Sequence, residues 1–168
     1  MFTITAETRR ATPDDASKIS GIHSESWRHA YSGMIPHGAL ARMIHRRDAN
    51  WWATAIRRST IILVIEVGDE IAGYATLGPN RVSTFHHQGE IYEIYLKPEY
   101  QGIGLGTTLF SEARRELKRR GYNGFAVWVL ADNDPAIRFY ENAGGVAIAT
   151  GSEHFDDQKL EKIAYAWD

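Results

Sequence analysis

A chain of 168 residues, 43% of them hydrophobic, holds enough apolar material for one domain with a single core and too much for disorder over most of its length. Its 19 basic and 21 acidic residues leave a net charge of −2, which gives no electrostatic ground for a nucleic-acid partner. The lack of cysteine excludes a disulfide framework, a thiolate metal site and a cysteine nucleophile, and the longest apolar run, Ile61 to Ile65, is too short to cross a membrane. In chain order, Met1-Phe2-Thr3-Ile4 lacks the basic and apolar regions of a signal peptide, so a cytoplasmic location is expected. Phe2 to Arg10 alternates loosely and predicts a first strand. Thr12-Pro13-Asp14-Asp15 reads as a helix start, with a threonine cap, a proline in the first turn and acids favoured by the dipole. The helix carries Ile19, Ile22, Ser26, Trp27 and Ala30 at three-to-four spacing, and Gly33 and Pro36 break it. A second helical region is predicted over His37 to Arg57.

Ile61 to Ile65 is β-branched and short, hence a buried strand. Gly68-Asp69-Glu70 turns the chain, Ile71 to Leu77 makes a hairpin partner, and Glu90 to Leu96 is the next strand. A helix from Gly104 to Arg120 shows Leu105, Leu109, Ala113 and Leu117 on one face, with Gly121 as its stop. Phe125 to Leu130 is a strand. Asp134-Pro135 opens a short helix closed by Gly144-Gly145. Val146 to Thr150 and Lys162 to Trp167 read as two final strands, with a turn at His154 to Gln158. No repeat or linker divides the chain, so residues 1–168 read as one domain. The pattern predicts an α/β fold with a mixed, mostly antiparallel sheet of about seven strands and helices on its faces.

The most informative stretch is Gln101-Gly102-Ile103-Gly104-Leu105-Gly106-Thr107, where a strand and a proline lead through alternating glycines into a helix. Such a turn gathers backbone N–H groups at a helix N-terminus, which suits a phosphate or pyrophosphate. Glycine permits the close approach and the φ angles that the turn needs. A dinucleotide fingerprint does not fit: the third glycine position falls on Thr107 or Leu109, and the strand comes late in the chain. A P-loop would end in Gly-Lys-Ser/Thr, which is absent.

Gln101 to Gly106 resembles the Q/R-x-x-G-x-G/A motif of the GNAT superfamily of N-acetyltransferases. Downstream, Trp128-Val129-Leu130-Ala131-Asp132-Asn133 through Phe139-Tyr140-Glu141-Asn142-Ala143-Gly144-Gly145 looks like the superfamily's strand, asparagine and helix with an aromatic pair before the glycine stop. The likeness extends to Ser26–Gly33 and to Ile163–Trp167. It implies a GNAT fold whose sheet splays after Leu96, acetyl-CoA as cosubstrate, and transfer of the acetyl group to a primary amine by direct attack in a ternary complex. No residue suggests a covalent acetyl-enzyme.

On this resemblance the amides of Gly102, Ile103, Gly104, Leu105, Gly106 and Thr107, with Gln101, hold the pyrophosphate. Ile94, Tyr95 and Leu96 pair edge-on with the pantetheine arm, and an N–H near Leu96 polarises the thioester carbonyl. Asn133 lies near the cofactor arm, or is a helix cap. Tyr140 is the expected general acid to the leaving thiolate, with Phe139 beside it structural. Glu90 is the expected general base, with Glu93 its competitor, and strict alternation puts the two on opposite faces. Trp27 and Tyr31, with Met34, are expected to line the acceptor pocket, where aromatics can hold a cation. The histidines, His86-His87 included, show no convincing metal spacing, so no metal is expected. The branch that acetylates protein N-termini carries an acid five residues before the asparagine, where this chain has Trp128. A small-molecule amine is therefore the preferred acceptor and a protein N-terminus or lysine the alternative. A non-catalytic acyl-CoA sensor is the rival of another class. The apolar last strand offers a homodimer interface.

Overall fold

A computed structural model describes residues 5–58 and 60–168. Phe2 to Ile4, the start of the first predicted strand and of the leader reading, lies outside them. β1 (Ala6–Arg10) leads to a single 3₁₀ turn at Pro13–Asp15 and then to α1 (Ala16–Tyr31). The helix start is capped reciprocally, with the Thr12 backbone N–H donating to the Asp15 carboxylate at 2.7 Å. Arg9 holds both oxygens of that carboxylate, at 2.7 and 2.9 Å, and so ties the first strand to the first helix. α1 buries Ile19, Ile22, His23, Ser26 and Trp27 along one face. Gly33, at φ +83°, turns the chain out of it.

The predicted helix over His37 to Arg57 is two helices, α2 (His37–Arg46) and α3 (Ala49–Arg57). Asp48 causes the break. Its side chain accepts the Trp51 N–H at 2.9 Å and so caps a new helix. β2 (Ile61–Val67) and β3 (Glu70–Pro79) form the expected hairpin, and β4 (Gly89–Leu96) follows. α4 (Leu105–Arg119) crosses over to β5 (Phe125–Leu130), as a parallel neighbour requires. α5 (Asp134–Asn142) leads to β6 (Val146–Phe155) and β7 (Gln158–Trp167). These last two strands run well beyond the predicted ones and pair up to Phe155 opposite Gln158.

One seven-stranded sheet results, in the order β1-β2-β3-β4-β5-β7-β6. Every neighbouring pair is antiparallel except β4 and β5. β2 shows why helices cover both faces. Ile61, Leu63 and Ile65 join a core with Leu109, Phe110 and Leu117 of α4, while Ile62 and Val64 pack with Ile19, Ile22 and Trp52. β7 lies between β5 and β6, so the last strand, expected to offer an interface, is paired along both edges.

Two irregularities in β4 position everything that follows. Its parallel pairing to β5 covers only Gly89 and Glu90, so the sheet parts after Glu90 and not, as expected, after Leu96. Next to the parting, Thr76 faces Glu93 and Leu77 faces Ile91, which leaves Tyr92 as the extra residue of a β-bulge.

Candidate active site

The glycine-rich segment is exposed from Gln101 to Gly104 and opens α4. Gly102 (φ +80°) and Gly104 (φ +90°) adopt left-handed backbone that a side-chain-bearing residue enters only with strain. No other atom lies within 4 Å of where a Cβ would stand at either, so the surface there is open. The Gln101 N–H bonds to Pro98 and the Thr108 N–H to Gly104, but none of the six amides between them, Gly102 to Thr107, donates to a described residue. Orphaned donors gathered at the positive end of a 15-residue helix suit a diphosphate.

The open edge of β4 lies next to this turn. Lys97 donates its N–H to Ala72 at 2.8 Å. Alternation along the β3–β4 ladder therefore aims the amides of Tyr95 and Glu93 at β3, and those of Ile94 and Leu96 at the opposite edge. That edge has no β5 partner beyond Glu90. Ile94 and Leu96 thus present to the gap N–H groups with no partner among the described residues, as a strand-like amide ligand needs. The Leu96 carbonyl is occupied, by Ser26 Oγ at 3.2 Å and by the Gln101 side chain at 3.3 Å. Gln101 thus braces the end of the strand. Asn133 caps α5, its Oδ1 accepting the Ala136 N–H at 3.4 Å; this is the cap reading, and it leaves the side-chain amide N–H groups free. Tyr140 is buried among Phe110, Phe139, Tyr165 and Trp167. Its hydroxyl bonds to no described residue, and burial raises its pKa, which keeps the phenol protonated.

A cleft of about 1080 Å³ opens between the first three helices, the middle of the sheet and the β6–β7 hairpin. Trp27 and Tyr31 line it as expected, whereas Met34 belongs to a smaller hollow beside α2. Tyr31 and Tyr95 join their hydroxyls at 2.6 Å. Trp128 forms part of the wall, with the Lys162 ammonium 4.5 Å from its ring centroid.

The two carboxylates of β4 differ in access. The bulge at Tyr92 resets the alternation, so that Ile91, Ile94 and Leu96 face the α4 core while Tyr92, Glu93 and Tyr95 line the cleft. Strict alternation, which had set Glu93 apart from the Glu90 face, fails here. Glu90, the expected base, is 1% exposed and does not line the cleft. Arg81 covers it, with Nη2 at 2.6 Å, Nε at 3.2 Å and the backbone N–H at 3.0 Å. Three donors from one arginine thus occupy most of the hydrogen-bonding capacity of this carboxylate. Glu93 is buried yet reaches the cleft, bonded to Arg47 and at 3.5 Å from Thr76 Oγ1. Burial raises its pKa above the ordinary carboxylate range, and Arg47 opposes the rise.

Arg47 itself escaped sequence reasoning. Its guanidinium lies 4.6 Å from the ring centroid of Trp51, 5.5 Å from that of Trp27 and 5.8 Å from that of Trp52. Beneath these rings His23 is fully buried, with Nδ1 3.1 Å from the Tyr74 hydroxyl. Burial, aided by Arg47, pushes its imidazole down to about 3. Away from the cleft, the ligand atoms of His86, His87 and Asp168 come within 4.8 Å of one another, a grouping that sequence spacing did not show. Among the described residues no helix is long and apolar enough to cross a membrane.

The profile of the acetyltransferase (GNAT) family matches residues 23–145, from α1 through the end of α5. The uncharacterised N-acetyltransferase YuaI of Bacillus subtilis is 28% identical over 159 residues, 95% of this chain and 91% of that one. The spermidine N(1)-acetyltransferase of Thermoplasma acidophilum is 26% identical over 157 residues, 92% of this chain and 98% of that one. Among solved structures, PaiA N-acetyltransferase from Thermoplasma acidophilum in complex with coenzyme A superposes with a TM-score of 0.76 at 21% identity, covering 97% of this chain and 99% of that one. A parted sheet, a glycine turn of orphaned amides and a family profile that spans both thus agree: the chain belongs to the GNAT family and is an acyltransferase of the N-acetyltransferase type.

Proposed function

We propose that this protein moves the acetyl group of acetyl-CoA to the primary amine of a small molecule by direct attack in a ternary complex. The observation that carries the reading is the run of six acceptor-free amides from Gly102 to Thr107 beside the unpaired edge of β4. The amides take the diphosphate, and Ile94 and Leu96 take the pantetheine arm along the open edge. When bound, the cosubstrate supplies an activated acetyl thioester. The Leu96 N–H then donates to the thioester oxygen, where one such donor is worth about 3–4 kcal/mol as negative charge develops.

Glu93 takes over the base role first expected of Glu90, because it alone of the two reaches the cleft. An acceptor ammonium loses two protons during acetylation. Glu93 accepts one and passes it to solvent through the open cleft. As the carbon–nitrogen bond forms and the carbon–sulfur bond breaks, Tyr140 gives its proton to the sulfur, and the second proton leaves the nitrogen and, by way of solvent, restores the Tyr140 phenol. The Tyr140 phenol is neutral at physiological pH, so it has a proton to give. A small acceptor is favoured because the cleft is bordered by the helices and the β6–β7 hairpin, with Arg42 of α2 paired to Asp156 at the hairpin tip. The spermidine acetyltransferase relative points the same way.

Calorimetry with acetyl-CoA, followed by thiol release with a panel of amines, tests the reading. Binding with amine-dependent thiol release is expected. Binding without release for any amine or peptide would establish the sensor instead, and acetylation of peptides alone would move the acceptor to proteins.

A further inference from the structure

The Glu93–Arg47 pair joins a carboxylate buried in the cleft floor to a guanidinium spread against a wall of three tryptophans. Arg47 spends one of its five N–H donors on Glu93, and no other described group accepts from it. Its side chain is 30% exposed and lines the cleft, so the remaining donors are open to a ligand. The other charges of the cleft are unevenly matched. Arg42 pairs with Asp156, Arg81 with Glu90, and Lys162 with Glu153 at 3.8 Å. Arg46 and Arg58 line the same cleft and have no ionic partner among the described residues. The cleft is therefore electropositive within a chain whose net charge is −2.

We infer that the acceptor is a free α-amino acid, or a close analogue with an anionic group beside its amine, and that it binds by exchanging partners with the Glu93–Arg47 pair. This deepens the proposed N-acetyltransferase reading and rests on it. The ammonium docks on Glu93 and the carboxylate on Arg47, so each charge of the pair gives up one partner and gains another of the same sign. A carboxylate and a guanidinium already in contact demand that the two charges of the ligand be close together, as they are when one carbon carries both. Arg46 and Arg58 add to the field that draws the anion in. A polyamine meets the opposite situation. After its first ammonium is placed on Glu93, a second one meets the unpaired Arg46 and Arg58, and the other carboxylates that line the cleft, Glu153 and Asp156, each already face a cation. Acetylation then removes the charge from the nitrogen while the carboxylate persists. Glu93 loses its ligand partner and reclaims Arg47, which loosens the product.

The test compares free α-amino acids, each with its own carboxamide, and spermidine, on the wild-type protein saturated with acetyl-CoA. The expected result is a kcat/KM for the preferred free acid roughly tenfold to hundredfold above that of its carboxamide, the scale of a lost hydrogen-bonded charge pair. Calorimetry on the CoA-loaded protein should show the same preference without turnover. Arg47→Met should abolish the preference of acid over amide, and Arg46→Gln with Arg58→Gln should reduce it without abolishing it. If Arg47→Met fails to fold, the wild-type comparison still decides. Equal or better turnover of carboxamides or spermidine would overturn the inference and leave the acetyltransferase reading intact. Absence of amine-dependent thiol release with every amine tested would overturn both.

Discussion

His23 offers a test of the floor of the acceptor cleft. Its imidazole is enclosed by Trp27 and Trp52, at centroid distances of 4.5 and 5.7 Å, and its pKa is pushed from 6.5 to about 3. A histidine held neutral in the fold gives a definite sign. Between about pH 3 and 6.5 the unfolded chain binds the proton and the folded chain does not, so stability falls as the pH drops through 6.5. With those two values the linkage gives a loss of about 2 kcal/mol between pH 7.5 and pH 5, approaching about 5 kcal/mol below pH 3. His23→Asn keeps a polar atom near the position of Nδ1 and does not titrate. Urea unfolding of both proteins at pH 7.5 and at pH 5 measures the difference. The variant starts lower, having lost a ring contact, but its stability should fall by about 2 kcal/mol less over the interval. Equal losses in the two proteins would show that the imidazole charges in place and that water reaches it.

Glu93→Gln should lower kcat by roughly 10²-fold or more and remove the limb of the pH profile that rises above the ordinary carboxylate range, whereas Glu90→Gln should leave the shape of that profile unchanged. Stopped-time thiol release over a pH series checks both. Tyr140→Phe should lower kcat by roughly 10²- to 10⁴-fold while acetyl-CoA affinity, read by calorimetry, stays within about twofold. Gly104→Ala should cost about 1–2 kcal/mol of stability from its left-handed backbone, or relax that backbone and weaken acetyl-CoA binding, even though a methyl group there touches nothing. An unchanged melting temperature together with unchanged affinity would remove the glycine turn from the cofactor site.

Much of this fold is legible from local pattern because local physics decides it. The strand Phe125–Leu130 is buried and apolar, and its ends match the predicted ones. The turn at Gly102 and Gly104 carries its own backbone chemistry. Other features depend on contacts that the chain makes only once folded. β6 lies at the sheet edge with residues exposed along most of its length, so its polar half from Gly151 to His154 shows no alternation to read. The break between α2 and α3 rests on one aspartate inside a stretch of continuous helical periodicity. Arg47 and Glu93 are 46 residues apart, and no local signal connects them. That Glu93 reaches the cleft depends on a single tyrosine outside the ladder, which no periodicity announces.

That tyrosine binds the two halves of the site into one heritable unit. Just before Tyr92 the strand leaves β5, and at Tyr92 it turns the Glu93 carboxylate into the cleft. Were the ladder regular through Tyr92, Glu93 would turn toward the α4 core and Ile94 toward the cleft. Every residue after the bulge thus owes its face to this one extra position, whereas a substitution on the helices or the hairpin around the cleft alters a single side chain.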